Sequence, residues 1–222
     1  MEAAQGDEPS PFGVETREQL LAEAERVGHI GSFAWHVPSD TSYWSDEFYR
    51  ILGHKPRSIE PSVDAFFRAI HRGDLPRVLA AAERTVETGI GQSVDFRIVR
   101  PDGSVRHAHI DSAPIVDARG EATRVVGAVH DITERVEAEA EMRWRQQVFK
   151  QAQRIARVGS FEWNPWTGKT VWSEELHRIC GIPLDEPGTQ ELYFSLVHPD
   201  DRPRLVQEAA NVTPDRPVPP ME

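Results

Sequence analysis

Residues 31–53, GSFAWHVPSDTSYWSDEFYRILG, align without a gap on residues 159–181, GSFEWNPWTGKTVWSEELHRICG, at an offset of 128. Ten of the 23 positions are identical, among them Trp35/Trp163, Trp44/Trp172, Ser45/Ser173, Arg50/Arg178 and Gly53/Gly181. The stretch ahead of each block matches too, with Leu20, Ala24 and Val27 against Val148, Ala152 and Ile155. Further on, His71 and Asp74 match His198 and Asp201 at an offset of 127, one residue lost in a loop. An offset this large excludes a solenoid, whose units run to ~20–50 residues. It predicts two copies of one domain. The second is expected to be truncated, lacking the part that corresponds to Val94–Thr133.

The periods of the first copy give its elements. Ser32–Val37 and Thr41–Trp44 are short aromatic-rich runs split by Pro38-Ser39-Asp40, the pattern of a β-hairpin. Ser45 is a helix cap for Asp46–Leu52, with Gly53 as its stop; Ser62 caps Val63–Ile70, and Asp74 caps Leu75–Glu87 with Pro76 in the first turn. The period then becomes two. Ser93–Arg100, Val105–Ile115 and Thr123–Ile132 read as antiparallel strands, turned at Pro101-Asp102-Gly103 and Ala118-Arg119-Gly120. Helices inserted between hairpins predict an α+β domain with one sheet face covered.

Past Ile132 the sequence turns helical, without Gly or Pro until Gly159, and about 25 residues at 1.5 Å each make a rod of roughly 38 Å. One stripe runs Val136, Ala140, Trp144, Val148, Ala152, Ile155, and Met142 and Phe149 form another. Arg145 and Gln151 interrupt the seam. A helix that pairs with a second copy and shifts register fits this pattern, and so does a rigid connector.

Composition narrows the classes. Hydrophobic residues are 39% and charged residues 27%, a globular balance, and no apolar run approaches the ~18–20 residues of a membrane helix. The acidic start, MEAAQGDEPS, lacks the basic end of an export signal, so a cytoplasmic location is expected, with no membrane partner. A lone cysteine, Cys180, supplies neither an internal disulfide nor a multi-thiolate metal site. The net charge of −11 argues against a nucleic-acid partner, because a phosphate backbone needs a basic face. The domain plan is an acidic flexible tail (1–15), an N-terminal helix (16–27), a complete domain (28–132), a linker helix (133–157), a truncated domain (158–210) and a Pro-rich disordered end (211–222).

Set in this order, the segments resemble the PAS family of sensory domains, in the subgroup found in bacterial sensor histidine kinases and diguanylate cyclases. The opening GSFAWHV…YWSDEFYRILG is followed by His71-Arg72-Gly73-Asp74, where the family usually reads His-Pro-x-Asp, better matched by His198-Pro199-Asp200-Asp201. FRIVRPDGSVR at 96–106 and VVGAVHDITER at 125–135 complete the series. The resemblance covers 27–135 fully and 158–210 in part. It implies a five-stranded antiparallel sheet cupping short helices and a pocket between them. It also implies a non-catalytic role in sensing a ligand, redox state or partner, usually as a homodimer, here through the N-terminal and linker helices. Asp131, Ile132 and Thr133 stand where the family joins its last strand to the outgoing signalling helix. They are the expected signal relay, and Asp131 also suits the positive end of that helix. Phe33, Trp35, Phe67, Val94 and Phe96 are candidates to line a small-molecule pocket, although filling a core is the plainer reading.

Other chemistries are less well supplied. His130 before Asp131 superficially resembles a kinase phospho-acceptor, but it falls on a strand and no nucleotide motif follows. His107 and His109 share a strand face, where the family often has tryptophan near His107, yet no dense cluster offers further metal ligands, so no metal site is expected. A His/Asp metal hydrolase on His71, Asp74, His107 and His109 therefore ranks below a sensor and below a purely structural dimer-geometry module. Adduct-forming flavin chemistry needs a cysteine in the helical region of the complete domain, which has none, and Leu75–Glu87 holds no histidine for haem, though His71 leaves haem open. The residues name no cofactor.

Overall fold

A computed structural model of the chain describes residues 14–164 and 167–210. The expected disordered end at 211–222, all but the last two residues of the acidic tail, and Trp166 lie outside the described residues. The chain divides into two compact units that meet at 139/140.

In the first unit the elements run α1 (Val14–Gly28), β1 (Ile30–His36), β2 (Thr41–Trp44), α2 (Asp46–Ile51), α3 (Val63–Ala69), α4 (Leu75–Thr88), β3 (Gln92–Val99), β4 (Val105–Val116) and β5 (Ala122–Asp131), with α5 (Thr133–Ala156) starting here. The strands form one antiparallel sheet in the order β2-β1-β5-β4-β3. Helix α1 thus starts two residues earlier than the sequence predicts, and the other boundaries shift by no more than two.

Period-two alternation sends Phe33, Val94, Phe96, Ile98, Ala108, Ile110 and Val129 to one face, where they meet Phe48, Leu52, Phe66 and Val78 from the helices. Rings step across this core: Trp44 and Phe48 lie 5.0 Å apart, and Phe66 stands edge-on to Phe96 at 5.8 Å. Gly31 is needed for the packing. A Cβ there would collide with the backbone of Phe48, so only glycine lets α2 lie this close on β1.

Ser45 Oγ accepts from Phe48 N at 3.3 Å and from Ser32 N at 3.0 Å, so the hydroxyl that caps α2 also ties it to β1. Ser62 caps α3 through Ala65 N at 3.1 Å. Asp74 corrects the sequence reading. It occupies the N-cap position of α4 but makes no side-chain cap, because its carboxylate is taken by Arg97 on β3.

The second unit contains the rest of α5, then β6 (Phe161–Trp163), β7 (Thr170–Trp172), α6 (Glu174–Cys180), α7 (Gln190–Leu196) and α8 (Arg202–Ala210). Strand, strand and three helices follow one another as in the first unit. The local devices recur as well. Ser173 Oγ accepts from Leu176 N at 3.2 Å and from Ser160 N at 2.9 Å, and Gly159 abuts Leu176 as Gly31 abuts Phe48. Among the described residues its sheet has two strands.

Candidate functional site

Two features of the first unit can carry function: a cavity inside it, and the junction between β5 and α5. The cavity holds about 400 Å³ between α3, α4 and the inner face of the sheet, within the ~300–1,000 Å³ range of small-molecule sites. Phe33, Trp35, Phe67 and Val94 line it, four of the five residues singled out from the sequence. Phe96 does not. It shares a strand face with Val94 but sits under Phe66, where it is fully packed at 3% exposure, so it belongs to the core. Sequence reasoning missed Trp44, Phe48, Thr85 and Ser112 in the lining, and also Glu83 and Glu87. Every helical spacing on α4 was legible, but which face it turns to the sheet depends on its anchoring at Asp74.

That anchor is an ion pair. Arg97 Nε and Nη2 donate to the two oxygens of Asp74 at 2.8 and 3.1 Å, and Arg97 N adds a third bond at 2.9 Å. These bonds, opposed by desolvation, hold the Asp74 carboxyl down to about 2. His71 Nδ1 accepts from Gly73 N at 3.1 Å, which closes the same loop. His198 does likewise for Asp200 N at 3.4 Å in the second unit. Both histidines therefore have a loop-closing bond.

At the junction, Asp131 Oδ1 accepts from Thr133 N at 3.0 Å and from Thr133 Oγ1 at 2.5 Å, so Asp131 takes an N–H of the first helical turn. Thr133 Oγ1 also accepts from His107 N at 2.9 Å, and Ile132 N donates to His107 O at 2.9 Å, extending the β4–β5 ladder into the start of α5. Ile132 and Thr133 are buried. The three residues expected to relay the signal are thus brought together.

A fourth member was missed. Arg100 Nη2 lies 3.5 Å from Asp131 Oδ2, while its Nε donates to Ile51 O at 2.9 Å and Nη2 to Arg50 O at 3.3 Å. It satisfies the last carbonyls of α2 and the carboxylate that caps α5. Its burial, and Arg106 nearby, push the guanidinium pKa down. The pattern Arg-Pro-Asp-Gly at 100–103 read only as a turn, and the partners lie far away in sequence.

The remaining candidates do not converge. His109 Nδ1 meets Asp95 Oδ1 at 2.5 Å, and its Nε2 meets Ser93 Oγ at 3.0 Å and Asp111 Oδ2 at 3.3 Å. The hydrogen bond to Asp95 raises its pKa. This Ser-His-Asp chain lies on the sheet face opposite the cavity, and both Ser93 and Asp95 are exposed. Among the described residues no group of three or more His, Cys, Asp or Glu is placed to hold a metal. His130 is exposed on β5, paired with Ile30 and His109. Cys180 is half-buried, and burial raises its thiol pKa.

The comparisons agree with this geometry. Residues 41–129 match the model of the PAS fold family. The match starts at β2, while β1 ahead of it completes the sheet. The chain is 25% identical to a sensory box histidine kinase/response regulator structure from Burkholderia thailandensis, with a TM-score of 0.50 over 61% of this chain and 98% of that one. It is 29% identical over 133 residues to the methyl sulfide methyltransferase-associated sensor of Methanosarcina acetivorans. That alignment covers 58% of this chain and only 13% of the curated relative. No helix among the described residues is long and apolar enough to cross a membrane.

Proposed function

Residues 41–129 form a PAS domain, and from that premise we propose that the chain is the sensory-input and dimerisation module of a bacterial signal-transduction protein. A small molecule enters the cavity of the first unit, and the change passes through Arg100, Asp131, Ile132 and Thr133 to α5 and on to an output domain. The observation that carries this reading is the Arg100–Asp131–Thr133 chain, because it ties the end of α2 to the first turn of α5. The sheet cannot change its hold on Asp131 without disturbing the cap of that helix. A cavity of about 400 Å³ favours a sensor over a module that only sets dimer geometry, for which a filled core would suffice.

The finer parts of the reading follow. The second unit repeats the first half of the same domain, a reading supported by its element order and caps. The module forms a homodimer through α1 and α5, whose Leu20, Leu21, Val27, Trp144, Phe149 and Ile155 are exposed apolar side chains on these helices. It works in the cytoplasm, is not itself an enzyme and binds no nucleic acid. Histidine kinase is the output the resemblance favours.

Trypsin cleavage at Arg135, on the first turn of α5, tests the relay in the full chain. Saturating nonan-1-ol, an apolar probe for the cavity, is expected to change the cleavage rate at least threefold. Asp131→Ala is expected to raise cleavage and abolish the response. Indifference of Arg135 to the probe in the unsubstituted chain would overturn the relay. Sedimentation at the mass of one 25.0 kDa chain would overturn the dimer.

A further inference from the structure

The lining of the cavity shows what kind of molecule it takes, an inference that rests on the ligand-sensing reading above. The charged side chains on its wall are Glu83 and Glu87, one turn apart on α4 and both exposed at the rim. Among the described residues no lysine, arginine or histidine lines it.

The neutral polar groups point the same way. Thr85 Oγ1 donates its proton to Ala81 O at 3.0 Å, and Ser112 Oγ donates to Gln92 O at 3.2 Å. Gln92 Nε2 spends its protons on Gly91 O at 3.1 Å and Ile90 O at 3.4 Å. Even the indole N–H of Trp35, on the opposite wall, turns outward to Asp40 Oδ1 at 2.9 Å. What Thr85, Ser112 and Gln92 keep for an occupant is lone pairs, while Ser42, the remaining hydroxyl on the wall, can either donate or accept.

An anion entering this site would lose its hydration, meet no cation and pass two carboxylates. A hydrogen-bond donor on an apolar body would find acceptors and an apolar wall. The geometry points to a neutral or cationic, largely apolar occupant carrying a hydroxyl or amine. It disfavours carboxylates and phosphate-bearing cofactors.

Three probes with one hydrocarbon body separate the cases: nonan-1-ol, nonylamine and nonanoate, titrated calorimetrically into the full chain at pH 7 and low salt, below micelle formation. The alcohol and the amine are expected to bind, with nonanoate about tenfold weaker or worse. The Glu83→Gln/Glu87→Gln double variant is expected to bring nonanoate to within about threefold of the alcohol, the expected result of removing both rim charges. Ala82→Trp, which fills the cavity from α4, is expected to abolish binding while circular dichroism reports an unchanged fold. If that variant does not fold, the glutamate pair carries the test.

Nonanoate binding as tightly as the alcohol would overturn the assignment of ligand class and leave ligand sensing standing. Unchanged selectivity in the double variant would overturn the role of the glutamates. Unchanged affinity in a folded Ala82→Trp protein would place the site elsewhere and overturn the proposal. If none of the three binds, the ligand-sensing reading itself fails, and the class with it.

Discussion

The indole N–H of Trp35 donates to Asp40 at 2.9 Å, whereas that of its counterpart Trp163 is buried with no partner among the described residues. The position matching Asp40 is Gly168, and both sit in left-handed backbone, at φ 50° and 68°. The two positions share a backbone conformation, but only Asp40 carries an acceptor. Tyr49 and His177 differ in a similar way. The phenol reaches Ile59 O at 3.3 Å, while Nδ1 of the shorter imidazole is buried without a partner among the described residues. The contrast is largest at the positions that β3–β5 cover in the first unit. Ile51 is 2% exposed and Ile179 is 54% exposed; that difference forgoes much of the roughly 1.5–3 kcal/mol a buried isoleucine contributes. Gly53 is closed over by Arg100, and Gly181, in the same left-handed conformation, faces open space. The repeated half therefore supplies caps, hairpin and helices, and the strands β3–β5 supply the closure of the core.

Gly31→Val should break the comparison hardest. A side chain there must push α2 off β1, a packing defect expected to cost the first unit at least about 3 kcal/mol, read as a lowered urea midpoint. The matching Gly159→Val removes the same close approach where far less core depends on it, so its cost should be clearly smaller. Equal losses would mean the two units are equally closed.

Arg97→Ala removes the hydrogen-bonding partner of Asp74, for which the second unit shows no counterpart among the described residues. The folded Asp74 carboxyl lies at about 2, below its ordinary 3.8. Its contribution is therefore fully present above pH ~4 and lost as pH falls toward 2, about 1–2 kcal/mol after discounting for the partly exposed Arg97. Acid titration of stability should lose that slope in the variant. An unchanged slope would remove the anchor from the account.

Gly168→Asp sharpens the comparison in the other direction. The position has free space around Cβ, and Asp40 shows that aspartate tolerates the turn. Giving Trp163 its acceptor should stabilise the second unit by about 1 kcal/mol, seen as roughly fivefold slower amide exchange in β6. No change would mean the orphaned N–H is not what distinguishes the two hairpins.

Much of this was legible in the sequence for identifiable reasons. The three long strands announced themselves by alternation and by Pro-Asp-Gly and Ala-Arg-Gly turns, and Ser45 by its place ahead of two acids. What escaped were pairings between distant residues. Asp74 looked like a cap because it precedes a helix, and nothing local revealed that Arg97, 23 positions on, would claim it. Arg100 was invisible for the same reason. Phe96 stood as a candidate for the cavity or the core, because alternation gives the face of a strand but not which part of that face lies under a neighbouring helix.

Site-resolved amide hydrogen exchange on the intact chain tests the central claim that, among the described residues, the first unit closes a fuller core than the second. Amides of β4 and β5 around Ala108 and Val129, both fully buried, are expected to exchange at least about a hundredfold more slowly than those of β6 and β7 around Trp163 and Trp172. Saturating nonan-1-ol should slow exchange further in α4 and β4 and leave the second unit unmoved. Equal protection of the two hairpins, or a response confined to the second unit, would contradict it.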